Sequence, residues 1–236
     1  MRITRVARRS QARLGMVTML IHATAFVAGC DGQLSADSSR IVELRQRIDS
    51  WGQSCSPPQQ LAEHGRFDVV TSEEVRDRLG GSIVRYAEFA HGGFGARSFL
   101  VTADKVIPLG CDLPVALVDD SCTADLDSDA VAEFVYTFHW GSGVAGSGLA
   151  MHCEACSDKT VRTPLAVTTS GSLSLAKADD QSIAVLYDAH DKTRMPDGSI
   201  TVGRLRAASQ EGKLDVVIDP DPDLPERVRR EVQLGE

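Results

Sequence analysis

Aromatic side chains are scarce in this chain: two Trp, three Tyr and seven Phe amount to 5% of its 236 residues. With Val, Gly and small residues plentiful, that composition suits a modest β-rich domain better than a helical bundle. Basic charge is also in deficit. Lys and Arg number 25 against 33 Asp and Glu, for a formal net charge of −8, and a chain of that sign is a poor partner for nucleic acid or an anionic membrane surface. No apolar run reaches the roughly 20 residues that a bilayer-spanning helix needs. Enzyme signatures are missing too. There is no phosphate loop and no dinucleotide fingerprint, and Glu63-His64 is not part of an H-E-x-x-H pair. Ser142, Ser147, Ser172 and Ser174 sit in glycine-containing turns without the spacing of a nucleophile elbow, and His91, His139 and His190 have no recognisable nucleophile nearby in sequence. No catalytic residue is therefore expected. The absence of a fixed-period repeat argues against a long solenoid or a complete propeller.

What is present starts at the N-terminus. MRITRVARRSQARLG carries five arginines and no acid, and the next residues, MVTMLIHATAFVAG, are apolar apart from His22 and two threonines. This is a positive n-region followed by an h-region of about 14 residues, the order of a signal peptide over residues 1–29. The run ends in Val27-Ala28-Gly29-Cys30. An aliphatic residue, two small residues and a cysteine resemble the lipobox of bacterial lipoproteins. That resemblance implies diacylglycerol on the Cys30 sulfur, with Cys30 as the new N-terminus and the membrane as a partner through its lipid. The expected location is the bacterial cell envelope, on its periplasmic or cell-surface side. Cleavage before Cys30 removes five positive charges and no negative one, which moves the formal balance from −8 to −13.

With Cys30 lipidated, Cys55, Cys111, Cys122, Cys153 and Cys156 remain in a compartment that permits disulfides. An odd number leaves one thiol over. Cys111 with Cys122 and Cys153 with Cys156 are the locally closest pairs and the candidate disulfides. His152-Cys153-Glu154-Ala155-Cys156 also admits a zinc or thiol-exchange reading, but a structural zinc needs four ligands and no second closely spaced pair exists.

Further along, SSRIVELRQRIDSW places Ile41, Leu44, Ile48 and Trp51 at helical spacing, and the two prolines of QSCSPPQQ end that helix. Residues 30–60 thus read as anchor, tether and packing helix. Thr71-Ser72-Glu73-Glu74 opens a short helix that Gly80-Gly81 stops. SIVRYAEFA and ARSFLVTA form a hairpin. KVIPL, PVALVDD, AEFVYTFHW, SGLAMH, QSIAVLYDA, GSITVGRLRA and KLDVVID supply further short strands. The fold class expected is α+β, mostly antiparallel, with eight or nine strands in a β-rich domain over 61–218. Residues 219–236 read as an acidic, Pro-rich tail that ends in a short helix from about Pro225.

The strongest chemical signal is DLDSDAVAEFVYTF, which begins at Asp125. Counted from there, acids occupy positions 1, 3, 5 and 9: Asp125, Asp127, Asp129 and Glu133. In a tight loop alternate side chains turn inward, and the carbonyl of Val131 at position 7 can join them. Hard oxygens with no basic residue among them suit Ca²⁺. The spacing is not that of an EF-hand, whose twelfth position would here be Tyr136. It resembles the FG-GAP loop of integrin-like propellers, D-x-[DN]-x-D-G-x-x-[DE] followed by a strand, here Phe134 to Phe138. The run through Trp140-Gly141-Ser142-Gly143 is also similar to stretches of bacterial proteins without a known activity. One departure stands out: the sixth position of that loop is normally glycine with positive φ, and here it is Ala130. Asp219, Asp221 and Asp223 repeat the alternation but lack both the ninth-position acid and the following strand.

The sequence thus leads to an envelope lipoprotein that serves as a binding or scaffolding module for a protein or glycan ligand, with one structural calcium loop. The alternatives are a metal-dependent envelope hydrolase that uses the Asp125 to Glu133 cluster with His139, or a thiol or zinc site at Cys153 and Cys156.

Overall fold

The computed structural model describes residues 38–59, 61, 64–70, 73–90, 93–111, 113, 115–141, 146–152, 163–177, 182–190, 198–210 and 213–235. The signal peptide, Cys30 and the Cys153–Cys156 pair lie outside the described residues.

The first helix, α1 (Ser38–Ser54), buries Leu44 and Ile48, four residues apart on one face. Gly52 lets it end tightly: a Cβ there would stand 2.3 Å from the Gln59 carbonyl oxygen, and Gln59 N–H donates to the Gly52 carbonyl at 2.8 Å. A first sheet follows, β1 (Arg66–Val69), β2 (Ser82–Ala90), β3 (Gly93–Val101) and β4 (Val106–Leu109), antiparallel in chain order with α2 (Glu73–Leu79) between its first two strands. A second sheet takes β5 (Ala116–Ala124), β6 (Glu133–Trp140), β7 (Gly146–His152), β8 (Ala166–Thr168) and the C-terminal β13 (Val232–Leu234), in the order β13-β8-β7-β6-β5. The third sheet is β9 (Gly171–Lys177), β10 (Ile183–Ala189), β11 (Ile200–Gln210) and β12 (Lys213–Pro220), with α3 (Glu226–Glu231) after it.

These elements stack as helix, sheet, sheet, sheet, and three apolar clusters fill the spaces between layers. Leu44 and Ile48 of α1 meet Val84, Tyr86, Phe99 and Val101 on the outer face of the first sheet. Its inner face, through Ile83 and Leu100, meets Phe134, Tyr136 and Phe138 of β6, with Val75 of α2 beside them. The other face of the second sheet gives Val135, Leu149 and Met151 to a core shared with Val185, Val202 and Val216 of the third. β6 is therefore buried on both faces, which explains an apolar run with no polar alternation. Its rings form a ladder: Phe134 to Tyr136 at 5.4 Å, then Tyr136 to Phe138 and Phe138 to Trp140 at 6.0 Å each.

Polar bonds join the layers. Ser98 Oγ on β3 accepts Val118 N–H at 2.9 Å, and Ala96 bridges Val115 in parallel beside it. Edge strand β9 crosses the second sheet, where Ser147 Oγ accepts Leu173 N–H at 3.1 Å and Asp120 Oδ2 accepts Leu175 N–H at 3.0 Å. Glu74 of α2 accepts from Thr123 Oγ1 at 2.8 Å and pairs with Lys177 at the end of β9.

The fold is mostly antiparallel β, as the sequence indicates, but it has thirteen strands among the described residues rather than eight or nine. The additional ones are β1, β8, β9 and β13. β8 and β13 have three residues each and hold their geometry by pairing with one another, Val232 with Thr168 through Leu234 with Ala166. No pattern of period two shows in so short a segment. The segment expected as a tail also carries α3 from Pro225 onward, and Leu224, Val228 and Val232 lie in the core between the second and third sheets.

Candidate metal centre

β5 and β6 are antiparallel neighbours whose last cross-strand pair is Ala124 with Glu133. That pair closes the loop 125–132 and fixes both of its ends. Within it, Ser128 and Ala130 take left-handed backbone angles, φ 64° and 68°, a conformation that glycine adopts at less cost than either. Asp125 accepts Asp129 N–H on Oδ1 and Ala130 N–H on Oδ2, both at 3.0 Å. Asp127 Oδ1 accepts Asp129 N–H at 3.3 Å, and Asp129 Oδ1 accepts Val131 N–H at 2.7 Å. Each aspartate thus turns back to cap an amide of its own loop.

Three of the expected donors converge. One carboxylate oxygen from each of Asp125, Asp127 and Glu133 falls within 4.8 Å of the others. Ca²⁺–oxygen bonds are about 2.3–2.6 Å, so ligands on opposite sides of the ion stand about 5 Å apart and this cluster fits inside one coordination sphere. Asp129 is outside that group, its Oδ1 engaged with Val131 N–H, while the Val131 side chain is 59% exposed. Asp125 and Asp127 are exposed, but Glu133 is only 2% exposed. Burial pushes the Glu133 carboxyl above its ordinary range, the charges of Asp127 and Asp129 push it further, and the Leu126 N–H at 2.7 Å opposes them. No cationic side chain relieves this cluster among the described residues. A divalent cation would remove that repulsion, and hard carboxylate oxygens are the donors that Ca²⁺ takes.

The other sequence candidates lie apart from the loop. His139 is at the far end of β6, six residues beyond Glu133 or roughly 20 Å at the rise of a strand. Its Nδ1 lies 2.7 Å from Asp119 Oδ1, a pairing made by the irregular register between Val118 and Asp120. Regular alternation along β5 hides that pair from the sequence. His64 and His190 are exposed, and His152 ends β7.

The Cys111–Cys122 disulfide expected from spacing is not formed, since Cys122 is a free thiol. Cys122 points into the core between the second and third sheets, whereas Cys111 packs with the cluster on the opposite face of the second sheet. Burial pushes the Cys122 thiol up to about 12, so it stays protonated and unreactive at neutral pH. Cys55 is a half-buried free thiol whose Sγ–H donates to the Trp51 carbonyl at 3.4 Å.

No protein-family model, curated protein or solved structure matches the chain.

Proposed function

We propose that this chain is an exported bacterial lipoprotein, tethered to the envelope by diacylglycerol on Cys30, whose layered β domain is a binding or scaffolding module. The 125–133 loop holds one Ca²⁺ in a structural role. The observation that carries the reading is the convergence of Asp125, Asp127 and the buried Glu133 on one point, with no cationic side chain among the described residues to balance them. An ion there ties the start of β6, a strand buried on both faces, to the end of β5. Asp129 and the Val131 carbonyl complete the sphere after a modest turn of the loop.

The separation of His139 from this cluster favours the structural role over a catalytic one. A hydrolytic metal site needs an open coordination position and ligands from distant segments. The loop draws all of its donors from nine consecutive residues.

The test is a thermal melt of the full chain in EDTA and in millimolar Ca²⁺, with Mg²⁺ and Zn²⁺ for comparison. Ligand at a hundred times its dissociation constant adds about 2.7 kcal/mol, a shift of roughly 5 to 10 °C for a domain of this size. That shift is expected with Ca²⁺ and is expected to vanish in Asp127→Ala. Equal melting in all four conditions removes the calcium loop from the reading. Lipidation is checked separately, by labelled palmitate incorporation that Cys30→Ala abolishes.

A further inference from the structure

Beside the second half of α1 runs a groove of about 550 Å³. Gln46, Arg47, Ser50 and Trp51 line it from the helix, Asp104 lines it from the turn between β3 and β4, and Val106 from the start of β4. Both walls are fixed. The turn is closed by Thr102 N–H to the Lys105 carbonyl at 3.0 Å and by Lys105 N–H to Thr102 Oγ1 at 3.2 Å. Arg47 reaches over from α1, and its Nη2 donates to the Ala103 carbonyl at 3.0 Å. The Trp51 ring meets the buried Phe99 ring edge to face, with centroids 5.3 Å apart at 68°. The groove is shallow and open to solvent, and a ligand entering it meets a helix face and a turn already held in place by these contacts.

The chemistry of the lining is specific. Trp51 is half-buried, and its indole N–H makes no hydrogen bond among the described residues; the same holds for the Gln46 amide and the Asp104 carboxylate. An aromatic surface therefore lies beside one unspent donor, one strong acceptor and one group able to do both. The Arg47 guanidinium already serves the Ala103 carbonyl, and the Asp104 carboxylate repels anions. A phosphate or carboxylate ligand is thus disfavoured. A pyranose ring fits this set: its C–H face stacks on the indole, and its vicinal hydroxyls donate to Asp104 while accepting from Gln46 and Trp51. From Gln46 to Ser54, both lining residues, the helix rises about 12 Å, which suits a short oligosaccharide better than a single ring.

We infer that this groove is a binding site for a neutral oligosaccharide, with Trp51 as the stacking platform and Asp104 and Gln46 as the hydroxyl-reading groups. The inference rests on the reading of the chain as an envelope binding module. It is independent of the calcium loop, because the groove lies outside the first sheet and the loop joins two strands of the second.

The test is a fluorescence titration of the full chain, kept in a detergent without a sugar headgroup. Trp51 and Trp140 are its two tryptophans, so Trp140→Phe makes the signal report on Trp51. The probes are a β-1,4-linked N-acetylglucosamine trimer and a glucose trimer. Saturable change with either probe at micromolar to millimolar concentration is expected. Asp104→Ala is expected to weaken it severalfold, and Trp51→Ala, followed by calorimetry, by about tenfold or more. Ser50→Arg, on the exposed helix surface where arginine is a good helix former, fills the groove and abolishes binding with the melt unchanged. No saturation with either trimer overturns the proposal, and so does undiminished binding in Ser50→Arg. Binding that persists in EDTA, even where Ca²⁺ leaves the melt unmoved, upholds the groove while the calcium loop fails.

Discussion

Glu133 Oε2 accepts the backbone N–H of Leu126 at 2.7 Å across the base of the acidic loop. That bond holds the first residue of β6 against the second residue of the loop, so the buried carboxylate both closes the turn and faces Asp127. Its two roles pull in opposite directions: the acceptor is needed, while the charge is unwelcome until a cation arrives.

Glu133→Gln separates them, because the amide oxygen still accepts from Leu126 while the charge is gone. Burial and the neighbouring aspartates raise the folded-state pKa of Glu133 above its ordinary 4.5. Stability linked to this group is therefore fully present below that value and is lost as pH climbs through the raised one. In EDTA at neutral pH the variant should melt at a higher temperature than the parent. The advantage should shrink toward about pH 4, and the Ca²⁺-induced shift should be lost. A variant that melts lower than the parent in EDTA would mean that the charge itself is satisfied in the apo loop.

Ala130, at φ 68°, carries a conformational cost that glycine would not. A left-handed alanine costs roughly 1–2 kcal/mol, part of which glycine returns through its freer unfolded chain. Ala130→Gly should raise the melting temperature by about 1 to 3 °C in EDTA and tighten Ca²⁺ severalfold by calorimetry. Ser128, at φ 64°, provides a second position where glycine should act in the same direction.

The joint between α2, β5 and β9 should make the fold acid-sensitive. Burial works against the Glu74 charge, but Lys177 and Thr123 outweigh it and hold the carboxyl below its ordinary 4.5. A depressed pKa contributes stability that is present above 4.5 and lost as pH falls through the folded value. Melting temperatures taken from about pH 6 down to about pH 3 should therefore fall less steeply in Glu74→Gln than in the parent. Parallel curves would show that the ion pair contributes nothing to folding.

How far the sequence foretold this molecule depended on distance along the chain. The acidic loop was legible because its donors lie within nine residues, and Glu133 followed by Phe134 to Phe138 set it apart from the alternating aspartates at 219, 221 and 223. β12 was legible because Leu214, Val216 and Ile218 are buried while Val217 and Asp219 are exposed, one face wet and one dry. β9 was not: Ser172 and Ser174 gave it the composition of a turn, and its pairing with β10 comes from residues 183–189. Nor was the groove at Trp51, which exists only because the turn carrying Asp104 is brought back against α1.

Ser147 offers the clearest test of how the second and third sheets are joined. Its Oγ, on a residue 2% exposed, accepts the Leu173 N–H of edge strand β9 at 3.1 Å. Among the described residues the outer edge of β9 has no neighbouring strand in its own sheet, so a side chain from the sheet beneath stands in for the missing ladder. Ser147→Ala removes the acceptor without changing volume much and leaves a buried amide unpaired, which costs roughly 1–3 kcal/mol. Denaturant melts should show that loss with an unchanged slope, whereas Ser172→Ala, on the exposed face of the same edge strand, should stay within about 0.5 kcal/mol of the parent. Hydrogen exchange at the Leu173 amide decides whether the cost belongs to that bond. Protection that falls in Ser147→Ala ties the cost to that bond, while protection that persists means that the amide stays shielded without the hydroxyl and the cost arises elsewhere.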